Sequence, residues 1–308
     1  MSKTSNWVIA EEVAHAIRLG DPVVALESTL IVHGLPSPRN LEVAQELEAI
    51  VREAGVVPAT IAVVGGVPHV GVSANKLAQL ANSPDVRKLA PRDLAMAKVF
   101  GVPGATTVAS TAFIAHAVGI KCFATGGLGG VHRGYQESFD ESNDLTTLAA
   151  TPIVVVSSGV KSILDVAATL ERMESLGIGL VGYQTDFFPG FYLSTTEFRL
   201  EWRCESAHEV AQVFRQQREI GVSSALVVAN SIKPSAQLDP SLHDELLKQA
   251  LAAANANDVS GKAITPFLLE YFHTNSAGQS LHVNVEIVKG NARLAAEIAS
   301  SLAAPSDI

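Results

Sequence analysis

Ile153-Val154-Val155-Val156-Ser157-Ser158-Gly159-Val160-Lys161-Ser162-Ile163-Leu164-Asp165 is the stretch on which the fold reading turns. Its four consecutive β-branched residues suit a strand covered on both faces, and the Ser-Ser-Gly run suits a tight turn. Leu164, Ala167, Ala168 and Leu170 then set a helical stripe. The sequence therefore predicts one βα unit with a helix beginning at Lys161. A helix N-terminus carries partial positive charge, which together with partial burial would depress an amine placed there and make it a candidate nucleophile. The competing reading is a first-turn lysine pointing into water.

The same alternation extends to both sides. Upstream, residues 9–19 read as an amphipathic helix, residues 23–26 as a strand ending on Glu27, and residues 41–54 as a helix with Asn40 as N-cap. A strand over 60–64 with a hairpin return through 69–72, a helix over 73–81 and a short helix from Arg92 follow. Thr106-Thr107 then caps a helix over 108–118. A strand over 121–125 opens into Gly126-Gly127-Leu128-Gly129-Gly130-Val131-His132-Arg133-Gly134, and a short helix starts at Leu145. Downstream come strands over 178–182 and 225–229, helices over 206–219 and 241–254, a Thr265-Pro266 helix start and a helix over 283–299. No composition shift marks a linker, so residues 1–308 read as a single α/β domain with a mainly parallel central sheet.

Composition narrows the function. With 17% charged residues, 47% hydrophobic residues and a formal net charge of −9, the chain lacks the basic surface that a nucleic-acid backbone requires. Cys122 and Cys204 form neither a disulfide framework nor a metal-ligand spacing, which suggests reduced thiols. No signal-peptide apolar region or membrane-length apolar run is present, so a cytoplasmic location is expected. The glycine run fails the GxGxxG dinucleotide pattern because His132 stands where the third glycine after Gly127 and Gly129 should fall, and a nicotinamide cofactor is not indicated.

In open α/β sheets ligands gather beyond the carboxyl ends of the strands. By chain order that rule brings together Glu27, the glycine run, the 157–161 turn and Asn230. Each has a plainer alternative. Glu27 can be an exposed strand-end acid, the glycines can simply make turns, and Asp144 can be the N-cap of the helix at Leu145. Lys88 with the free amides at Thr106-Thr107 makes a phosphate site or, equally, a solvated charge beside a capped helix. Asp140, Glu141 and Asp144 offer oxygens that suit Mg²⁺ or Mn²⁺ without a diagnostic spacing.

Taken together these stretches resemble a known family. Val24-Ala25-Leu26-Glu27-Ser28-Thr29-Leu30-Ile31 with His33-Gly34-Leu35-Pro36, Gly104-Ala105-Thr106-Thr107-Val108-Ala109, and the block from Ala124 to Gly134 closely resemble the pseudouridine-5′-phosphate glycosidases, also called the indigoidine synthase A family. Further matches are Ser142-Asn143-Asp144-Leu145, Lys161-Ser162-Ile163-Leu164-Asp165, Gly182-Tyr183-Gln184-Thr185-Asp186, Thr265-Pro266-Phe267-Leu268-Leu269 and Asn291-Ala292-Arg293-Leu294-Ala295. The resemblance implies a three-layer α/β/α domain. It also implies reversible cleavage of the C–C glycosidic bond of pseudouridine 5′-phosphate to uracil and ribose 5-phosphate, in a homotrimer that binds Mn²⁺ or another divalent cation such as Mg²⁺.

By the same resemblance Glu27 is the proton donor, Lys161 the nucleophile and Asp144 the metal ligand. Lys88, Thr107, Val108, His132, Thr146, Thr147, Leu148 and Asn284 are substrate contacts. The chain departs from the family pattern at Asn143, at Tyr135-Gln136 and at Ser157-Ser158-Gly159-Val160. Two other functions fit some of the same residues: a catalytically silent sugar-phosphate sensor, and a lysine-dependent aldolase acting on another sugar phosphate.

Overall fold

The structure, a computed structural model, describes residues 7–259 and 261–304; residues 1–6, included in the reading for a leader, lie outside it. Eleven strands form one sheet among the described residues: β1 (Val8–Ile9), β2 (Val23–Glu27), β3 (Val57–Val64), β4 (Val67–Val70), β5 (Arg87–Leu89), β6 (Gly104–Thr106), β7 (Cys122–Ala124), β8 (Val154–Ser157), β9 (Gly179–Tyr183), β10 (Arg203–Cys204) and β11 (Leu226–Asn230). The main path runs β1-β4-β3-β2-β7-β8-β11-β9-β10, with β6 attached to β3 and β5 to β6. Only the β3–β4 and β3–β6 pairings are antiparallel. Helices cover both faces, giving the three-layer α/β/α arrangement.

The stretch that decided the fold reading lies at the centre. Val154, Val155 and Val156 are fully buried, and β8 is flanked by β7 and β11 in parallel register, which explains its unbroken apolar run. The helix Gln279–Ala303 lies across β2, β7 and β8. The helix Val108–Ala117 packs on β2, β3 and β7 and is apolar nearly all round, as a buried helix is.

Two local expectations change. Asn40 is not an N-cap: the helix spans Arg39–Glu53, and Asn40, inside its first turn, points its Nδ2 at the carbonyl of Ile31 at 3.1 Å. The helix after β8 begins not at Lys161 but at Val166, where Asp165 accepts from the Ala168 amide at 3.0 Å as N-cap. Residues 158–161 instead run alongside the glycine loop. Ser158 N–H donates to Gly126 O at 2.8 Å, Leu128 N–H to Gly159 O at 2.9 Å and Lys161 N–H to Leu128 O at 3.1 Å. Those bonds tie residues 158–161 to the glycine loop and the helix starts only at Val166, so the argument for Lys161 from a helix terminus does not hold. Gly159 makes the turn with φ of +80°, a conformation that favours glycine.

Candidate active site

The carboxyl ends of the parallel strands converge on two adjoining cavities, of about 190 and 310 Å³. Glu27, Thr29, Lys88, Lys161 and Thr265 border both, so these residues form the joint between them. The smaller cavity is the more polar of the two and is lined further by Thr107, Val108, His132 and the run Asp140-Glu141-Ser142-Asn143-Asp144. The larger is mainly apolar, with Leu30, His33, Phe191, Pro266, Leu269 and Asn284 in its wall over the Gly126-Gly127 floor.

Glu27 is the last residue of β2. It opens onto the cavities, with protein around the rest of its side chain, and Thr125 just beyond β7 donates its hydroxyl to Glu27 Oε1 at 2.7 Å. Burial pushes the Glu27 carboxyl above its ordinary value, opposed by the positive charge of Lys161, the Thr125 hydrogen bond and Lys88, and reinforced by the negative charge of Asp144. The strand-end acid is thus turned into the site. Ser28 ties β2 to β6: Thr106 N–H donates to Ser28 Oγ at 2.9 Å, and Thr106 Oγ1 donates to Ile61 O at 2.7 Å. That join carries Lys88, on β5, and the start of the helix Val108–Ala117 to the rim of the polar cavity. Thr107 caps this helix as the sequence predicts, its Oγ1 accepting from Ser110 N–H at 3.3 Å. The amides of Thr107, Ala109 and Ser110 go to Leu89 O, Asp144 Oδ1 and Thr107 Oγ1, so the helix end offers an anion the Val108 amide and partial positive charge.

Asp144 is only 5% exposed and is not an N-cap; Ser142 caps its helix, accepting from the Asp144 amide at 3.2 Å. The Asp144 carboxylate instead joins two other elements. Oδ1 accepts from Ala109 N–H at 2.9 Å and Oδ2 from Gly129 N–H at 2.8 Å. A side chain at position 129 would collide with Ser142 and Asp144, which is why a glycine stands there. Among the described residues no three His, Cys, Asp or Glu side chains gather into a metal-binding cluster. One buried carboxylate with spare lone pairs on a polar cavity wall fits a largely hydrated Mg²⁺ or Mn²⁺, which are held through one or two carboxylates, and not a closed protein cage.

His132 lies in the polar wall with its Nδ1 4.0 Å from Asp140 Oδ2. Burial holds its imidazole below the ordinary value, and the Asp140 carboxylate opposes that. Asn284 is 3% exposed, and its Oδ1 is buried beside the Gly126-Gly127 floor with no hydrogen-bond partner among the described residues. Thr146, Thr147 and Leu148 do not border either cavity. Thr146 is exposed and accepts from Asn143 Nδ2 at 2.9 Å, and Leu148 is fully buried in the core. The stretch that reaches the polar cavity is 140–144, one turn earlier, and it includes Asn143.

Residues outside the predicted set also line the joint and the apolar wall. Thr29 and Thr265 were visible only as parts of longer motifs. His33, held below its ordinary value by burial and the Lys88 charge, borders the apolar cavity. Phe191 takes φ of +63°, places its ring over Gly127 and had no sequence signal.

The family model described as indigoidine synthase A like protein matches residues 12–301. The chain belongs to the indigoidine synthase A family. Within that family it is 55% identical over 304 residues to a Frankia alni protein named pseudouridine-5′-phosphate glycosidase, an alignment covering 99% of this chain and 84% of that one. It is also 55% identical to a Salinispora tropica protein of the same name, over 95% of this chain and 91% of the relative. The crystal structure of the prealnumycin C-glycosynthase AlnA in complex with ribulose 5-phosphate superposes with a TM-score of 0.90 at 32% identity, covering 97% of each chain. Among the described residues no helix is long and apolar enough to cross a membrane.

Proposed function

We propose that this protein is a pseudouridine-5′-phosphate glycosidase, a lyase that reversibly converts pseudouridine 5′-phosphate to uracil and ribose 5-phosphate. The observation that carries the reading is that a polar and an apolar cavity meet at a carboxyl group and a lysine. The phosphate lies by Lys88, Thr107 and the amide of Val108, the ribose C1′ at the joint, and the uracil in the apolar half. There the orphaned Asn284 Oδ1 accepts from an imide N–H of the base, which removes an unsatisfied buried acceptor.

The difficulty of the reaction is that the base leaves through carbon. Lys161 Nζ bonds to C1′ as the C1′–O4′ bond opens and O4′ takes a proton. Glu27 then delivers a proton to uracil C5, and the C1′–C5 bond breaks with its electron pair going to the base. The nitrogen lone pair forms the C1′=N⁺ iminium, which water hydrolyses to release ribose 5-phosphate and restore the amine. A Glu27 carboxyl raised by burial keeps its proton closer to neutral pH, as a donor requires. Phosphate binding at the far wall supplies energy for orienting C1′ between the two groups.

Asp144 is the residue that would hold Mn²⁺ or Mg²⁺, and the cation would supply positive charge and ordered water on the polar wall. Two buried free thiols, Cys122 and Cys204, suit a reducing compartment, and we place the protein in the cytoplasm. We expect the homotrimer implied by the family resemblance, checked by light scattering after size-exclusion chromatography.

The deciding experiment is incubation with pseudouridine 5′-phosphate and Mn²⁺ while free uracil is followed. Stoichiometric uracil and ribose 5-phosphate support the reading; a folded, metal-loaded sample that binds the nucleotide and releases neither is the silent sensor.

A further inference from the structure

Glu27 has two carboxyl oxygens in different surroundings. Oε1 accepts the Thr125 hydroxyl at 2.7 Å, whereas no described residue hydrogen-bonds to Oε2. Thr125 is itself held at both main-chain groups. Its N–H donates to Val156 O at 3.0 Å, and its carbonyl accepts from Asn291 Nδ2 at 2.7 Å. The same Nδ2 also lies 3.3 Å from the Gly126 carbonyl, so Asn291 clamps the chain where β7 leaves the sheet.

Asn291 is fully buried at 0% exposure, and the network around it fixes which way its amide faces. Asn230 Nδ2 donates to Asn291 Oδ1 at 2.9 Å, and Ser158 Oγ, which donates to Asn230 O at 2.7 Å, closes the group. With Oδ1 engaged by a donor, Nδ2 must face the two carbonyls. Pinning N–H and C=O on either side of Thr125 fixes its backbone, and a β-branched side chain on a fixed backbone has few χ1 choices. The hydroxyl is thereby aimed at Oε1.

We propose that Thr125, clamped by Asn291, is the positioning unit that assigns the two oxygens of Glu27 their roles: Oε1 accepts the Thr125 hydroxyl, and Oε2 carries the transferable proton into the cavity. The inference rests on Glu27 being the proton donor. In the cleavage direction the proton leaves Oε2 for uracil C5 while Oε1 takes up the developing carboxylate charge against the hydroxyl already in place. The donor then needs no reorganisation during transfer. Neither Thr125 nor Asn291 has to touch the substrate for this.

The test is steady-state cleavage of pseudouridine 5′-phosphate by Thr125→Val, Thr125→Ser, Asn291→Ala and Glu27→Gln proteins, each checked for folding by circular dichroism. Val keeps the shape of Thr and removes only the hydroxyl. Thr125→Val is expected to lose about 10–100-fold in kcat with KM within about threefold, the loss of one hydrogen bond to a charging group in the transition state. Thr125→Ser restores most of the rate, and Asn291→Ala lowers kcat in the same direction. Wild-type kcat in a folded Thr125→Val protein overturns the proposal, as does a Ser variant no better than Val. Wild-type kcat in a folded Asn291→Ala protein overturns the clamp. A Glu27→Gln protein that keeps the wild-type rate overturns instead the proton-donor reading on which the proposal rests.

Discussion

Replacing Asp144 by Asn separates its structural work from any role toward a cation. The carboxylate accepts one backbone amide on each oxygen, Ala109 N–H on Oδ1 and Gly129 N–H on Oδ2, from a position 5% exposed. Asn has the same shape but only one acceptor, so whichever way it turns, its NH₂ faces an N–H. One charge-assisted bond is lost and one buried amide is orphaned, a cost of about 3 kcal/mol. For 308 residues, an unfolding entropy of roughly 2.1 cal/mol/K per residue gives about 0.65 kcal/mol/K, so the midpoint should fall by about 5 °C. The assay is thermal unfolding by circular dichroism with a chelator in both samples, so that cation binding contributes to neither curve. A midpoint within about 1 °C of wild type would show that the two amides do not depend on the charge.

Three further outcomes follow from the same geometry. Asn284→Leu should lower kcat/KM for cleavage by about 10–100-fold through the lost pairing with the base, while ribose 5-phosphate affinity stays within about twofold of wild type; unchanged kcat/KM would remove Asn284 from base recognition. Because burial raises the Glu27 pKa, and cleavage needs Glu27 protonated while the attacking Lys161 amine is neutral, kcat/KM should rise with pH only up to that raised value and then level off. A kcat/KM that goes on climbing with unchanged slope, with no break before the lysine itself is fully neutral, would contradict the assignment. Gly159→Ala puts a side chain at φ of +80° against the Pro189 carbonyl, two residues before Lys161. It should destabilise the chain by about 1–3 kcal/mol and depress kcat, and denaturant titration showing wild-type stability would mean that the turn relaxes freely.

The parts of the site that could be read from the sequence are those fixed by local patterning. The valines of β8 announce a strand buried on both faces, the β2 run ends on Glu27, and Thr107 stands before an apolar helix as a cap. Where the reading went astray, a distant backbone supplied the partner. The glycine loop takes up the amide of Lys161 and delays the helix to Val166. Asp144 reaches across to Ala109 and Gly129 and leaves the cap to Ser142. Ile31 O draws Asn40 away from the cap. The orphaned oxygen of Asn284 and the ring of Phe191 over Gly127 had no local signature, because each depends on segments far apart in the chain. The roles proposed for Glu27 and Lys161 come from the family resemblance, and the fold brings both residues to the joint of the two cavities.

The central claim is that Lys161 becomes covalently bound to C1′ of the sugar. Borohydride reduction in the presence of ribose 5-phosphate, followed by peptide mapping by mass spectrometry, tests it directly. The account predicts one reduced pentose-phosphate adduct, on the peptide containing Lys161 and absent from Lys161→Ala. An adduct on Lys88 or another lysine, or none from a protein that turns over, would contradict it.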